Sequence, residues 1–521
     1  MFWVDEIVQD LTTNLKKDDY IISDWKTPSG HIHVGSIRGA IIHDLIRRVL
    51  TESGKTATFW WGYDDFDPMD GMPIYIDKSF SKYMGVPLCD VPAPDGNHKS
   101  FAHQYSEEFS KVLEKIGIKA EIITTSSLYK EGKFNEAIRL VLDNAAEIRK
   151  IYLEISGSKK DDNWYPFQVV CPKCGKIGTT IITAWDGNEV SYECRKDLVK
   201  WATGCGYKGG ISPFDGNGKL PWKVEWPAKW QIMNTDIEGE GKDHAASGGA
   251  RDVANSIFLK IFKKTPPYDI PYEFFLIGGA KMSSSKGQGA TAYEMAEFLP
   301  VNLLRFLFTR TKYKKAIDFN PEGDTIPLLY DEFDRCLLEF NLNPKSDFGR
   351  AFYFSEIDPS FSSRGLKYLL RFSKIAYMLQ MPKIDIFEYA NKEKGSALTE
   401  IENTEINNRI AIAKKWLEKF APENYKFSIQ DKLPAEARDL SLIQKEFLGK
   451  ILDVIREKDW PGEGLHEKIH QIKEEMQISP RDAFSAIYLT FIGKDSGPQA
   501  GWLLASLDKK FVINRLKEVV N

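Results

Sequence analysis

Residues 20–63 constrain the fold of this chain more than any other stretch. Residues 20–25 (YIISDW) read as a buried strand running into a Thr27-Pro28-Ser29-Gly30 turn. From Ile37 the apolar residues Ile37, Ile41, Leu45 and Val49 recur at helical spacing, with Arg38, Arg47 and Arg48 elsewhere on the helix surface. Gly54 ends that helix. Residues 55–63 (KTATFWWGY), rich in aromatic and β-branched side chains, form the next strand. Strand, helix, strand is a βαβ unit, and its ligand is expected beyond the carboxyl ends of the strands, where Asp64, Asp65 and Asp67 stand.

The turn itself reads Pro28-Ser29-Gly30-His31-Ile32-His33-Val34-Gly35-Ser36. It presents backbone amides and two imidazoles at a helix N-terminus, a natural place for an anion. Far downstream, Lys281-Met282-Ser283-Ser284-Ser285-Lys286-Gly287 is a polar loop with a cation at each end. Each alone is a weak signal, and the first by itself is equally a turn whose histidines fill space. In this order around a parallel-sheet pattern, they are what a site needs to hold a nucleoside triphosphate and stabilise charge developing on its phosphates.

Between the two motifs the alternation of strand and helix breaks off. Residues 67–219 are expected to be an insertion, with helical stretches such as 106–116 and then a Cys- and Gly-rich part at 165–212. The nucleotide-binding core is expected at 1–66 and 220–290, its second half carrying a helix at 251–262 and a strand at 272–277. Residues 291–345 connect onward, and 346–521 read as an all-α domain. In that domain Leu366, Leu369, Leu370, Ser373 and Tyr377 mark one helix face, and Ile406, Ile410, Ala413, Leu417 and Phe420 another. Ser479-Pro480 is a capped helix start with proline at the first helical position.

At 521 residues the chain needs more than one core. The formal charge of −4 means that any nucleic-acid contact must come from local basic patches. No apolar run reaches the ~18 residues of a membrane span, and residues 1–10 are unlike a targeting peptide, so a cytoplasmic protein without membrane contact is expected. Cys171-Pro172-Lys173-Cys174 is a half-site for tetrahedral zinc. Cys194 and Cys205 complete a looser second half, with ten residues between them. A structural zinc is the favoured reading over free buried thiols, since a small insertion lacks a core of its own.

These stretches resemble the signature motifs of class I aminoacyl-tRNA synthetases. Residues 27–36, 222–230, Gly241-Lys242-Asp243-His244, Tyr272-Glu273-Phe274, the serine loop and 484–502 narrow the resemblance to the class I lysyl-tRNA synthetase family. It implies a Rossmann-like α/β catalytic domain with an inserted zinc-containing subdomain and a C-terminal helical anticodon-binding domain. It further implies an ATP- and Mg²⁺-dependent ligase that activates L-lysine as lysyl-adenylate and transfers it to the terminal adenosine of tRNA(Lys). The insertion would meet the acceptor end and 291–345 the stem.

On this resemblance His31, His33, Gly35, Ser36, Lys281, Met282, Ser283, Ser284, Ser285 and Lys286 bind ATP, with His33, Lys281 and Lys286 assisting the chemistry. The serine loop departs from the general class pattern, which has lysine where Ser284 stands; Lys281 and Lys286 are expected to act jointly instead. Thr27, Trp230, His244 and Tyr272 are implied in the lysine pocket. Trp25 stands where the family usually has glycine, and Gly39 where it usually has an acid, so Asp24, Asp64 or Asp65 is expected to meet the substrate ammonium. For each Asp alone a turn or cap role is the plainer reading. Arg305, Arg310, Lys312, Lys314 and Lys315 are expected to contact tRNA phosphates. Phe484, Tyr488 and Trp502 either stack anticodon bases or fill a core. Related enzymes carry a metal-binding pattern near Asp95, His98 and His103. Here Ala93, Asn97 and Gln104 stand where ligands are expected, so that loop reads as metal-free. The rival readings are a glutamyl-type class I synthetase, a small-molecule nucleotidyltransferase and a non-catalytic tRNA-binding paralogue.

Overall fold

The computed structural model describes residues 1–281, 290–357 and 366–520. The chain divides into two compact units, Met1–Phe319 with Leu342–Pro359, and Asn320–Asn341 with Ser360–Asn521.

The first unit is built on a parallel five-stranded sheet. Its elements are β1 (Asp19–Lys26), α1 (Ser36–Glu52), β2 (Thr56–Tyr63), α2 (Phe101–Lys115), β3 (Glu121–Thr124), α3 (Trp222–Met233), β4 (Ile237–Gly241), α4 (Ala250–Lys260) and β5 (Tyr268–Tyr272). The strand order is β5-β4-β1-β2-β3. The chain leaves β1 towards β2 and leaves β4 towards β5, in opposite directions, so a crevice opens between the carboxyl ends of β1 and β4. The expected βαβ unit is present, with β1 and β2 in register from Asp19↔Thr56 to Lys26↔Tyr63.

Several expectations are corrected. The edge strand β3 comes from within the stretch assigned to the insertion; its four residues EIIT are too short to carry a periodic signal. The strand expected at 272–277 is two: β5 ends at Tyr272, and Phe275–Ile277 belongs to a separate small sheet with Ala280–Lys281 and Ile317–Asp318. α1 is buried on all sides, not on one face. Its Arg38 is buried and donates to the carbonyls of Phe274 at 3.0 Å, Tyr313 at 3.1 Å and Lys315 at 2.5 Å. A guanidinium so enclosed spends its protons on backbone carbonyls, adding a second donor to Phe274 O and Tyr313 O, which also accept amides.

The cysteine-rich part forms an antiparallel sheet of Thr180–Trp185, Val190–Cys194 and Lys208–Ile211. In the second unit the described residues form helices without strands. The helix around Ser373 begins only at Phe372, later than the apolar pattern suggested. Ser479 caps Pro480–Ile492 by accepting from the Asp482 amide. Among the described residues no helix is long and apolar enough to cross a membrane.

Candidate functional site

A cleft of about 770 Å³ occupies the crevice between β1 and β4. The end of β1 and the start of α1 line one side with Asp24, Trp25, Thr27, His33, Gly35 and Ser36. The opposite side carries Trp222, Trp226, Glu238, Glu240, His244 and Tyr272. Gly30, at φ 149°, lets the chain turn from β1 towards the helix. Gly35 then caps α1 and, with Ser36, lines the cleft.

Residues just beyond the second motif reach the first one at this rim. Val34 donates its amide to Ala290 O at 3.1 Å, and Ala292 donates to Ile32 O at 2.8 Å. Lys281 ends a two-residue strand at the other end of the serine loop. Met282, Ser283, Ser284, Ser285 and Lys286 lie outside the described residues. His31 sits outside the cleft lining: Glu108 on α2 bonds its Nδ1 at 2.8 Å, and Tyr75 and Tyr105 pack on its ring. The Glu108 hydrogen bond raises the His31 pKa, keeping the imidazolium to higher pH.

Of the acids at the strand ends, two are already neutralised. Lys229 pairs with Asp64 and, at 3.4 Å, with Glu225; Lys219 pairs with Asp67 and, at 3.2 Å, with Glu225. Burial pushes Asp64 up, yet Lys229 and Lys219 outweigh it and hold its pKa below the usual value. The Lys229 ammonium also lies 4.2 Å above the Trp25 ring, which itself fills the space over Gly62. Thr27 lines the cleft and donates to Asp67 at 2.9 Å.

Asp65 is not brought to the cleft. Its carboxylate accepts from the Ser126 amide at 2.8 Å and the Ser126 hydroxyl at 2.5 Å, tying down the helix Thr125–Lys130. The expected substrate role for Asp65 is therefore corrected to a turn-holding one.

Asp24 faces inward. A Cβ at Gly39 would lie 2.7 Å from Asp24 Oδ2 and 2.6 Å from the Tyr272 hydroxyl, so residues 24 and 39 share one space. His43 lies 3.1 Å from the same carboxylate oxygen. Because Gly239 donates its amide to His43 Nε2 at 2.9 Å, the His43 proton sits on Nδ1, between Gly39 O and Asp24. Burial, with the Asp24 and Glu240 charges, keeps Tyr272 a neutral phenol far above its usual pKa.

Trp230 is corrected as well: it is buried behind the cleft, donating to Glu238 Oε2 at 2.7 Å. Trp226, one turn earlier, and Trp222 form the wall, their rings 6.0 and 5.5 Å from His244. Glu238, which sequence reasoning missed, fixes that wall by accepting from Trp226 Nε1 at 2.7 Å. The i, i+4 spacing of Trp222, Trp226 and Trp230 was a readable signal; which of the three reaches the cleft depends on where α3 starts.

Arg305 is not a tRNA contact. It is fully buried, bonded to Asp44 at 2.8 Å, Ile116 O at 2.9 Å and Phe354 O at 3.1 Å. Lys312, Lys314 and Lys315 are exposed, with Lys312 paired to Glu6 at 2.8 Å, and Arg310 is half-buried. In the second unit Tyr488 is buried and donates to Pro498 O, a core position, while Phe484 and Trp502 are half-buried.

The four cysteines converge, each Sγ within 4.8 Å of the others. Cys171–Cys205 and Cys174–Cys194 are both 3.7 Å apart. Four thiolates at ~2.3 Å around a tetrahedral zinc stand ~3.8 Å from one another, so the donor set fits the metal. Burial pushes the Cys171 and Cys174 thiols up, a penalty that a bound cation reverses.

A parallel sheet with its cleft at the strand-order reversal and a histidine–glycine turn bonded to residues 290–292 define the catalytic unit of a class I aminoacyl-tRNA synthetase. The family described as tRNA synthetases class I (K) matches residues 1–350, and an anticodon binding domain matches 398–520. A lysine–tRNA ligase of Methanosarcina barkeri is 32% identical, covering 100% of this chain and 98% of that protein. Those of Archaeoglobus fulgidus and Thermoplasma volcanium are 33% and 34% identical, covering 99% and 100% of this chain and 99% of each relative. The chain belongs to the class I lysyl-tRNA synthetase family.

Proposed function

We propose that this chain is a cytoplasmic lysine–tRNA ligase. The lysine carboxylate attacks the α-phosphorus of ATP and pyrophosphate leaves. The 2′-hydroxyl of the terminal adenosine of tRNA(Lys) then attacks the adenylate carbonyl and AMP leaves. Neither step needs a protein nucleophile, so the protein's share is positioning and charge stabilisation.

The observation that carries this reading is the Asp24 carboxylate beside Tyr272 in a cleft where Lys229 and Lys219 match Asp64 and Asp67, Arg251 matches Glu240, and Glu238 is taken by Trp226 and Trp230. It suits a substrate ammonium. A glutamate pocket would want a guanidinium, and Arg38 is consumed by backbone carbonyls. In this reading Thr27, Trp25, His244 and Tyr272 shape the lysine pocket around Asp24. Gly35 and Ser36 give the nucleotide close approach to the backbone, and His33, with His31 at the rim, donates to phosphate oxygens. Lys281 and Lys286 meet the leaving pyrophosphate. Mg²⁺ accompanies the triphosphate and shields its charge.

Residues 1–66 and 220–290, with the helix and edge strand of 101–124, act as the catalytic core, the rest of 67–219 as the insertion facing the acceptor end, 291–345 as the stem contact and 346–521 as the anticodon-binding domain. Arg310, Lys312, Lys314 and Lys315 supply phosphate contacts. Pyrophosphate–ATP exchange run against all twenty amino acids tests the assignment: exchange with lysine is expected, and exchange with glutamate, or with none, rejects it.

The cysteine cluster holds one structural zinc. Cys171→Ser/Cys174→Ser is expected to lose one zinc equivalent per chain and to lower the unfolding midpoint, measured by metal analysis and thermal melting. A variant that keeps the metal content of the parent contradicts the site.

A further inference from the structure

We propose that Glu108 is a positioning residue for the nucleotide step: it fixes the His31 ring with a proton on Nδ1 and keeps that ring cationic, so that Nε2 donates to a phosphate oxygen. The proposal rests on the reading of the cleft as an ATP site. Glu108 stands 77 residues from His31, and only the fold brings the two together.

Both Glu108 oxygens stand against one ring nitrogen, at 2.9 and 2.8 Å from His31 Nδ1. A carboxylate only accepts, so Nδ1 carries a proton whether the ring is neutral or charged. In the neutral ring Nε2 is then a lone pair, which repels a phosphate oxygen. Only the imidazolium has a second N–H to give. His31 therefore serves a triphosphate while it is charged and not otherwise, and the carboxylate that selects the tautomer also favours the charge.

The ring is held in that orientation before any ligand arrives. Tyr105, three residues before Glu108 on α2, packs edge-on against it at 5.0 Å, and Tyr75 packs on it at 4.8 Å. The Tyr75 hydroxyl accepts the His31 amide at 2.7 Å, which fixes the backbone as well.

Among the described residues, the titratable groups facing the ring are Glu108 and Tyr105 on α2, Tyr75 between β2 and α2, and Glu294 on the helix Ala292–Phe298. Burial keeps both tyrosines neutral phenols, above their usual pKa. Glu294 accepts the Thr291 amide at 3.0 Å to cap its own helix and adds a weaker pull. The Glu108 hydrogen bond outweighs burial of the imidazole, so the charge persists to higher pH. A positive charge there offsets the negative charge that gathers on the leaving pyrophosphate.

Glu108→Gln tests this, because the amide oxygen still accepts from Nδ1 and only the charge is lost. Two readouts are taken on the full-length chain. The first is titration of the His31 Cε1–H signal by NMR with isotope-labelled histidine. The chain has eight histidines, and His31→Gln identifies the signal. Its midpoint is expected at lower pH in Glu108→Gln than in the parent. The second is kcat/KM for ATP in lysine-dependent pyrophosphate–ATP exchange. Glu108→Gln is expected to lower it by about 10-fold near pH 8 and by less than about 2-fold near pH 6, where the ring is mostly charged in both proteins. In a His31→Gln background the same substitution should have no pH-dependent effect. A ratio of parent to variant that is the same at both pH values overturns the proposal, and so does an unchanged His31 midpoint. Absence of exchange in the parent at both pH values rejects the ligase reading, and the NMR midpoint then decides the Glu108–His31 pair by itself.

Discussion

Asp24→Asn is expected to lower kcat/KM for lysine in pyrophosphate–ATP exchange by about 30- to 1,000-fold, with KM for ATP near its parent value. The estimate follows from removing one partner of a buried charge pair, which costs about 2–4 kcal/mol. Asparagine keeps the shape and still accepts from the Trp25 amide, which bonds Asp24 Oδ1 at 2.8 Å, and the His43 proton keeps Gly39 O as acceptor at 2.8 Å, so the loss reports charge above all. Asp65→Asn, whose partner is Ser126, is expected to leave KM for lysine unchanged and to reduce stability by ~1 kcal/mol. Gly39→Asp alone should abolish lysine activation, because its side chain would strike Asp24 and Tyr272. The exchange Asp24→Gly/Gly39→Asp puts the carboxylate back into the same space, and partial recovery there would locate the ammonium subsite. Equal lysine kinetics in the parent and Asp24→Asn would place the charge partner elsewhere.

The second large effect concerns folding. Arg305→Ala is expected to destabilise the first unit by about 3 kcal/mol, since it leaves the buried Asp44 carboxylate with Arg47 alone and takes the donor from Ile116 O, while Phe354 O keeps Arg48. Asp44 is fully buried, a condition that pushes its pKa up, but Arg305, Arg47 and Arg48 outweigh burial and hold it below the usual range. A carboxylate with a lowered folded-state pKa contributes fully above its unfolded pKa of ~3.9, and the contribution is lost as pH falls further. Arg305→Ala should therefore show less additional loss of stability below pH ~4 than the parent. Its salt dependence of tRNA binding should match the parent's, whereas Lys314→Ala/Lys315→Ala should flatten the log–log slope by about 1–2 without a stability change. Denaturant titration and binding at several salt concentrations separate the two.

How much of this was readable in the sequence depended on the range of the interaction. The βαβ unit, the His33–Gly35 turn and the Cys171/Cys174 half-site are local patterns, set by periodicity and spacing within a few dozen residues. What failed was pairing across the chain. Arg305 looked like a surface cation because nothing near it in sequence announces Asp44, Ile116 or Phe354. Asp64 looked like a ligand and Asp67 stood where one was expected, and only the fold brings Lys229 and Lys219 onto them. The i, i+4 spacing of Trp222, Trp226 and Trp230 sets them along one helix face but does not say which end of the helix points at the cleft. Glu238 and Glu240 were missed because a strand reading IEGEG has no apolar alternation to expose its inward face.

A crystal structure with a non-hydrolysable lysyl-adenylate analogue weighs most heavily on all of this. The adenosine should lie against Gly35 and Ser36, and the lysine ammonium should sit about 3 Å from Asp24, in the crevice between β1 and β4. An analogue bound with its ammonium away from Asp24, or outside that crevice, would contradict the assignment of the cleft and of the carboxylate that reads the substrate.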